Sequence, residues 1–193
     1  MFEPFTELNC FSMKLLISAN SFMLIALKNN CFYSLRINMK VRPALSSDTD
    51  ALKTLFYNTV RRVNCRDYSP KQIDVWSSAV TDEQLWQSRV QSGGVYVVEE
   101  ETQVVGFASL HEGGYIGMLF CHSHYQGKGV GTLLLNHLEQ VAQSLGLDRV
   151  YSEVSITAQP FFQHRGFRIV QPQTVERQGV EFRNFVMEKD LVS

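Results

Sequence analysis

From Met39 onward the apolar positions fall into two alternating periods. In "SSDTDALKTLFYNTVRRVNC", Ala51, Leu55, Thr59 and Val63 recur every four residues, with Leu52 and Phe56 beside them. That spacing predicts a helix, with Ser47 or Asp48 placed to cap its free N–H groups. "RDYSPKQIDVWSSAV" restarts the pattern: Ser69 as cap, Pro70 at the first helical position, and Ile73, Trp76 and Val80 on one apolar face. "TDEQLWQSRVQSGG" predicts a further short helix stopped at Gly93-Gly94. The period then shortens. "GVYVVEEE", "QVVGFASLHE" and "GGYIGMLFC" are β-rich runs separated by turn residues. In "VGTLLLNHLEQVAQSLG" a stripe of Val130, Leu134, Leu138, Ala142 and Leu145 predicts a long amphipathic helix ended by Gly146. "RVYSEV" is a strand, "TAQPFFQHRG" a short helix stopped at Gly166, and "FRIVQPQTV" and "VEFRNFVMEKDL" a closing pair around Gln178-Gly179. With "KVRPA" as the opening strand, the order is β, helices, βββ, α, β, α, ββ. The expected class is α/β (α+β): a mixed central sheet flanked by helices, in one domain.

Residues 1–38 read differently. "FSMKLLISANSFMLIALKNNCFYSLRI" is apolar but follows neither period. A membrane span needs ~20 consecutive apolar residues, and Ser18, Asn20 and Ser21 interrupt this run. A secretory signal lacks a clean small-residue cleavage site here. The expected division is an extension over 1–38, with Met39 as the natural start, and one functional domain over 39–193.

The chain has 193 residues, 45% of them apolar and 19% charged, in the range of ordinary globular domains. Its formal net charge of −1 provides no global basic field for nucleic acid. Cys10, Cys31, Cys65 and Cys121 lie in apolar contexts without metal-like spacing, which reads as buried thiols in a reducing compartment. His122 and His124 form an H-x-H pair with no acidic or cysteine neighbour, so no metal is expected. The localisation expected from these features is cytoplasmic, without membrane or nucleic-acid partners, and a homodimer is left open.

The chemistry centres on "YQGKGVG", Tyr125–Gly131, between a strand and the long helix. A glycine turn at a helix start offers free N–H groups and positive dipole potential, which suit a phosphate. The spacing fits neither the Walker loop, because Lys128 lies between Gly127 and Gly129, nor the G-x-G-x-x-G dinucleotide fingerprint. A tight turn with no ligand remains an alternative. What fits is Q-x-x-G-x-G, through Gln126, Gly129 and Gly131.

On these residues, "LFCHSHYQGKGVGTLLLNHL" resembles the acetyl-CoA loop of the GNAT N-acetyltransferases, and "AQPFFQHRGF" resembles a second block late in that fold. "RDYSPKQIDVW" with "SITAQPFFQHRGF" is similar to one bacterial branch, the YafP-type acetyltransferases. The resemblance covers Met39 to about Leu191 and leaves 1–38 outside. It implies acetyl-CoA as co-substrate, no metal, and acetyl transfer to an amine of a small molecule or peptide. Backbone N–H groups of Gln126, Gly127, Lys128, Gly129, Val130 and Gly131 would surround the pyrophosphate, with Thr132 adding a hydroxyl. Leu119, Phe120 and Cys121 would pair with the pantetheine amides, and Ser155 and Phe162 would complete the cofactor contacts. The strands of "GGYIGMLFC" and "RVYSEV" should be parallel neighbours that splay apart.

The family's usual catalytic side chains are missing. The base glutamate of the strand before the loop is replaced by Tyr115, and the acid tyrosine of the late block by Phe162. The substitutes are Glu153, His111 or Glu112 as base, directly or through water, and Tyr115 as proton donor to the leaving sulfur. A covalent acetyl-Cys121 is disfavoured, because no cation adjoins it to lower its pKa. Tyr68 and Trp76 are the expected walls of the acceptor pocket, with core packing as the alternative for Trp76. The missing side chains also motivate a second function, a non-catalytic acyl-CoA sensor or regulatory partner on the same fold.

Overall fold

The computed structural model describes residues 38–191 and three short upstream strands, β1 (Ile17–Ser18), β2 (Phe22–Ala26) and β3 (Phe32–Arg36). The readings that fell on Cys10 and Cys31 lie outside the described residues. The chain divides into two units, Met1–Asn38 and Met39–Ser193. In the first, β1, β2 and β3 form an antiparallel sheet in that order.

The second unit has seven strands: β4 (Met39–Pro43), β5 (Val95–Glu100), β6 (Gln103–Leu110), β7 (Tyr115–Cys121), β8 (Arg149–Ser155), β9 (Arg168–Arg177) and β10 (Val180–Asp190). Their order is β4-β5-β6-β7-β8-β10-β9, antiparallel throughout except for the parallel pair β7 and β8. The parallel pair needs a crossover, and α4 (Val130–Ser144) supplies it. Val130, Leu134, Leu138 and Ala142 of α4 are buried against Val98, Val105, Ala108 and Val150 on one face. The opposite face carries α1 (Thr49–Arg62), α2 (Pro70–Ser77) and α3 (Glu83–Gln91). There Leu52, Phe56, Val60 and Trp86 pack on Val97 and Phe107. α5 (Gln159–His164) joins β8 to β9.

The predicted element order and mixed sheet are present, and α2 begins as its sequence dictates. Ser69 Oγ accepts the Gln72 N–H, the Gln72 side chain returns the bond to Ser69, and Pro70 opens the first turn. The final hairpin turns on Gln178 and Gly179, both in the left-handed region. Three local readings need correction. Leu145 leaves the apolar stripe: it lies beyond the last turn of α4 and is 67% exposed. Val80 falls in a 3-10 turn, Ser78–Thr81, after α2 has ended. Cys65 is exposed.

Ser47 and Asp48 do not cap α1, because the Asp48 carboxylate has other work. It accepts the Leu45 N–H at 2.7 Å and two Arg42 N–H bonds at 2.7 and 3.0 Å, while Arg42 Nε donates to Glu99 at 2.9 Å. The Arg42 hydrogen bonds hold the Asp48 carboxyl below its ordinary range against the opposing effect of burial. A depressed carboxyl stabilises the fold above its unfolded pKa, and that contribution is lost as pH falls through the folded value. Asp48→Ala should therefore cost about 2 kcal/mol at neutral pH. Urea unfolding of the two proteins should show the gap begin to close as pH falls through about 4, where the unfolded carboxyl takes up its proton, and close further as pH falls through the lower folded value.

Candidate functional site

The site begins where β7 and β8 part. They pair only at Tyr115↔Tyr151 and Ile116↔Ser152. Ser152 Oγ donates to the Ile116 carbonyl at 2.7 Å and closes the last rung. Opposite β6, Ser109 pairs with Met118 and Leu110 with Ile116, so Gly117 is the extra residue of a β-bulge. Bulges bend a strand and raise its twist, and this one sits at the parting point. The His111 ring lies across the bulge: a Cβ on Gly117 would fall 2.7 Å from His111 Nε2.

The free edge of β7 has a definite phase. His122 N–H bonds to Val105 O at 2.9 Å, and Gly106↔Cys121 and Ala108↔Leu119 are the next alternate pairs. Antiparallel pairs alternate between bonded and non-bonded, so Leu119 and Cys121 turn their N–H and C=O groups into the gap. The Cys121 carbonyl is already taken by Thr59 Oγ1 at 3.0 Å and Gln126 Nε2 at 2.8 Å. Phe120 points the other way, stacked on Phe107 and edge-on to Phe56. Gln126 thus has two functions to weigh, a loop N–H and a side chain that fixes the strand end.

α4 starts beside this edge. Gly129 is its N-cap at φ +87°, with no side chain to bond the orphan N–H groups, and the first helical bond is Leu133 N–H to Gly129 O. The N–H groups of Val130, Gly131 and Thr132 are left for a ligand. A Cβ on Gly129 would meet nothing within 4 Å, so its requirement is the left-handed backbone. Gly131 is needed for space: a Cβ there would lie 3.1 Å from Phe161 Cζ. The Val130 side chain is buried in the core, and only its backbone can serve the loop. Lys128 lays its ammonium 4.5 Å from the centre of the Tyr125 ring and does not line the cleft.

The gap opens into a cleft of 580 Å³ lined from both sides. Gln126, Gly127, Gly129, Val130, Gly131 and Thr132 line it from the loop. Leu119, Phe120, Cys121, Glu153, Ser155 and Phe162 line the middle, and Trp76 the side of the helices α1–α3. Trp76 is also core, edge-on to Tyr68, Phe120 and Phe182. Tyr68 does not form the expected pocket wall. It is 7% exposed, its hydroxyl accepts the Ile156 N–H at 3.0 Å and donates to the Arg183 carbonyl at 3.2 Å. Tyr68 therefore ties the end of β8 to β10, and burial pushes its phenol pKa up.

Of the four catalytic candidates, Glu153 alone lines the cleft. Its carboxylate accepts from Gln173 Nε2 at 3.0 Å. Tyr115 stands near it, half-buried between the rings of His111 and Tyr151. Burial first, and the charge of Glu153 second, raise the Tyr115 phenol above its ordinary value. His111 bonds Ser109 Oγ at 3.1 Å, and Glu112 lies in the exposed 3-10 turn before β7; neither lines the cleft. Burial pushes the Cys121 thiol up to about 12, so it is neutral at physiological pH.

Thr59, Gly117, Ser152, Arg89 and Arg177 also reach the cleft, and none of them is read from the sequence as a site residue. Gly117 could have been found as a glycine inside a strand pattern, a common mark of a bulge. The others carry no local signal.

An uncapped helix start facing the free edge of two parted parallel strands defines the GNAT-type acyl-CoA N-acyltransferase fold. Comparison with known proteins agrees. Residues 64–190 match the acetyltransferase (GNAT) domain. YafP of Escherichia coli K12, an uncharacterized N-acetyltransferase, is 37% identical over 150 residues, covering 78% of this chain and 95% of YafP. A GCN5-related N-acetyltransferase structure from Rhodopseudomonas palustris superposes with a TM-score of 0.77 at 32% identity, over 79% of this chain and 95% of that one. The fold alone is shared with the PaiA N-acetyltransferase of Thermoplasma acidophilum, solved with coenzyme A, at 18% identity, a TM-score of 0.63, and 79% and 99% coverage. The chain belongs to the GNAT acetyltransferase family and is an acetyltransferase enzyme.

Proposed function

We propose that the enzyme transfers the acetyl group of acetyl-CoA directly to a primary amine of a small molecule or peptide. One observation carries this reading: the free N–H groups of α4 and the free edge of β7 open into the same cleft as Glu153. The fit to acetyl-CoA rests on the cleft's donors. The free backbone N–H groups of Val130, Gly131 and Thr132 suit the pyrophosphate, and the Leu119 N–H and C=O with the Cys121 N–H suit the pantetheine amides, as an added strand would. Acetyl-CoA, when bound, supplies an activated acetyl group on a thiol leaving group.

Glu153 is assigned as the base that takes the proton of the acceptor ammonium. Tyr115, whose raised pKa keeps its phenol protonated across neutral pH, stands beside Glu153 but does not line the cleft, so it is assigned no contact with the leaving sulfur. Cys121 acts through its backbone. Cys121→Ala should keep kcat within about threefold, where loss of an acyl-cysteine nucleophile would cost orders of magnitude; initial rates on any accepted amine check this.

The reaction itself is tested by acetyl-CoA consumption against an amine panel, with mass detection of the acetylated product. Turnover with sequential kinetics is expected. Tight acetyl-CoA binding without product on any amine would favour a sensor over a catalyst. The reading further assigns the catalytic unit to 39–193, with Met39 as the start. Intact mass of the protein from its native source checks that assignment.

A further inference from the structure

Among the described residues, two cationic side chains line the cleft, Arg89 and Arg177. They come from distant parts of the chain, Arg89 from the last turn of α3 and Arg177 from the end of β9, beside the hairpin turn. Both belong to the face covered by α1–α3. The Arg89 guanidinium lies 5.3 Å from the Trp86 ring centre and Arg177 lies 6.0 Å from that of Phe182. Trp86 and Phe182 are core residues of that face, whereas α4, which starts at the glycine loop, packs on the opposite one.

Neither arginine has a hydrogen bond or ion pair to a carboxylate among the described residues. Arg42, Arg61, Arg149 and Arg168 all do, and the others without a carboxylate partner, Arg62, Arg66, Arg165 and Arg183, lie outside the cleft. Asp82, an acid close enough to act on Arg89, accepts the Leu85 N–H at the start of α3. Burial, and then the like charge of Arg177, lower the Arg89 pKa. Partly desolvating one guanidinium and setting a second near it costs stability unless an anion completes the group. Among the described residues the one carboxylate lining the cleft is Glu153, whose partner is the neutral Gln173. The cleft therefore presents one anionic and two cationic groups, with no charge pair closed between them.

We infer that Arg89 and Arg177 bind an oxyanion, a carboxylate or a phosphate, carried by the acceptor amine. Glu153 then meets the ammonium while the arginines fix the acidic end, so the preferred acceptor is zwitterionic. The inference rests on the amine acetylation proposed above and narrows its acceptor class. Guanidinium forks suit both oxyanions, because each offers paired acceptor oxygens.

Matched pairs test it with the full-length enzyme: α-amino acids against their carboxamides, and phosphoethanolamine against ethanolamine. For one pair type the acidic member should show kcat/KM about a hundredfold above its neutral partner, and the pair type that does so identifies carboxylate or phosphate. In R89Q/R177Q that preference should fall to about threefold or less through a raised KM, with acetyl-CoA affinity unchanged. Arg177→Gln, at an exposed hairpin end, gives the same test without disturbing α3. Equal or higher kcat/KM for the neutral members overturns the inference. So does a preference that survives the double variant, or a variant that loses acetyl-CoA affinity instead. If no amine is acetylated, the proposed reaction fails, and the oxyanion site is read from heat stability. Acidic members should then raise the Tm of the wild type above neutral ones, and not that of the double variant; equal shifts overturn it.

Discussion

Gly129→Glu should raise the Kd for acetyl-CoA at least about a hundredfold while the protein still folds. Two effects add. At φ +87° a glutamate side chain strains the backbone, at a cost of about 1–2 kcal/mol. The new carboxylate would also stand at the start of α4, among the N–H groups assigned to the pyrophosphate, and two like charges there repel. Gly129→Asn separates the contributions. Asparagine tolerates the left-handed region and carries no charge, so it should keep affinity within about tenfold. Calorimetry of both variants checks this, with circular dichroism as the control for folding. Equal affinity of the Glu variant and the wild type would place the donor's phosphates elsewhere.

Glu153→Gln should lower kcat by about 10²–10⁴-fold, the usual worth of a general base, and leave the acetyl-CoA Kd unchanged. The geometry sets Glu153 apart from the other candidates. It lines the cleft on the strand that parts from β7, whereas His111 bonds Ser109 and Glu112 lies in the exposed turn. Single-turnover rates with any accepted amine would measure the loss. A Gln variant with unchanged kcat, beside a His111→Ala variant that is inactive, would transfer the role to His111, whose ring lies across the bulge at Gly117.

What the sequence reveals is what depends on near neighbours. The cap of α2 needs only Ser69, Pro70 and Gln72, and it forms as read. The loop's spacing, with Gly129 as helix cap and Gly131 beside the late block, is local enough to identify the fold. That β7 and β8 are parallel neighbours follows from the family resemblance and is met by the α4 crossover between them, whereas their parting sits at the Gly117 bulge. Long-range partners escape this reading. Asp48 looks like a helix cap, but Arg42, six residues before it, takes its carboxylate, and the pairing of β4 with β5 brings Glu99 to the same guanidinium. Tyr68 looks like a pocket wall until its hydroxyl is found between Ile156 and Arg183. Arg89 and Arg177 carry no motif at all; only the folded sheet brings both to one cleft. The side of the cleft proposed for acetyl-CoA is thus written mostly in contiguous residues, and the side proposed for the acceptor is assembled from separate elements.

Acetyl-CoA is proposed to bind between the start of α4 and the free edge of β7. Titration of the ¹⁵N-labelled full-length protein with acetyl-CoA, followed by amide NMR, tests it most directly. The largest shifts should fall on Leu119, Cys121, Val130, Gly131 and Thr132, and their amides should become protected from exchange. Absence of binding at millimolar acetyl-CoA, or shifts confined to residues away from β7 and α4, would contradict it.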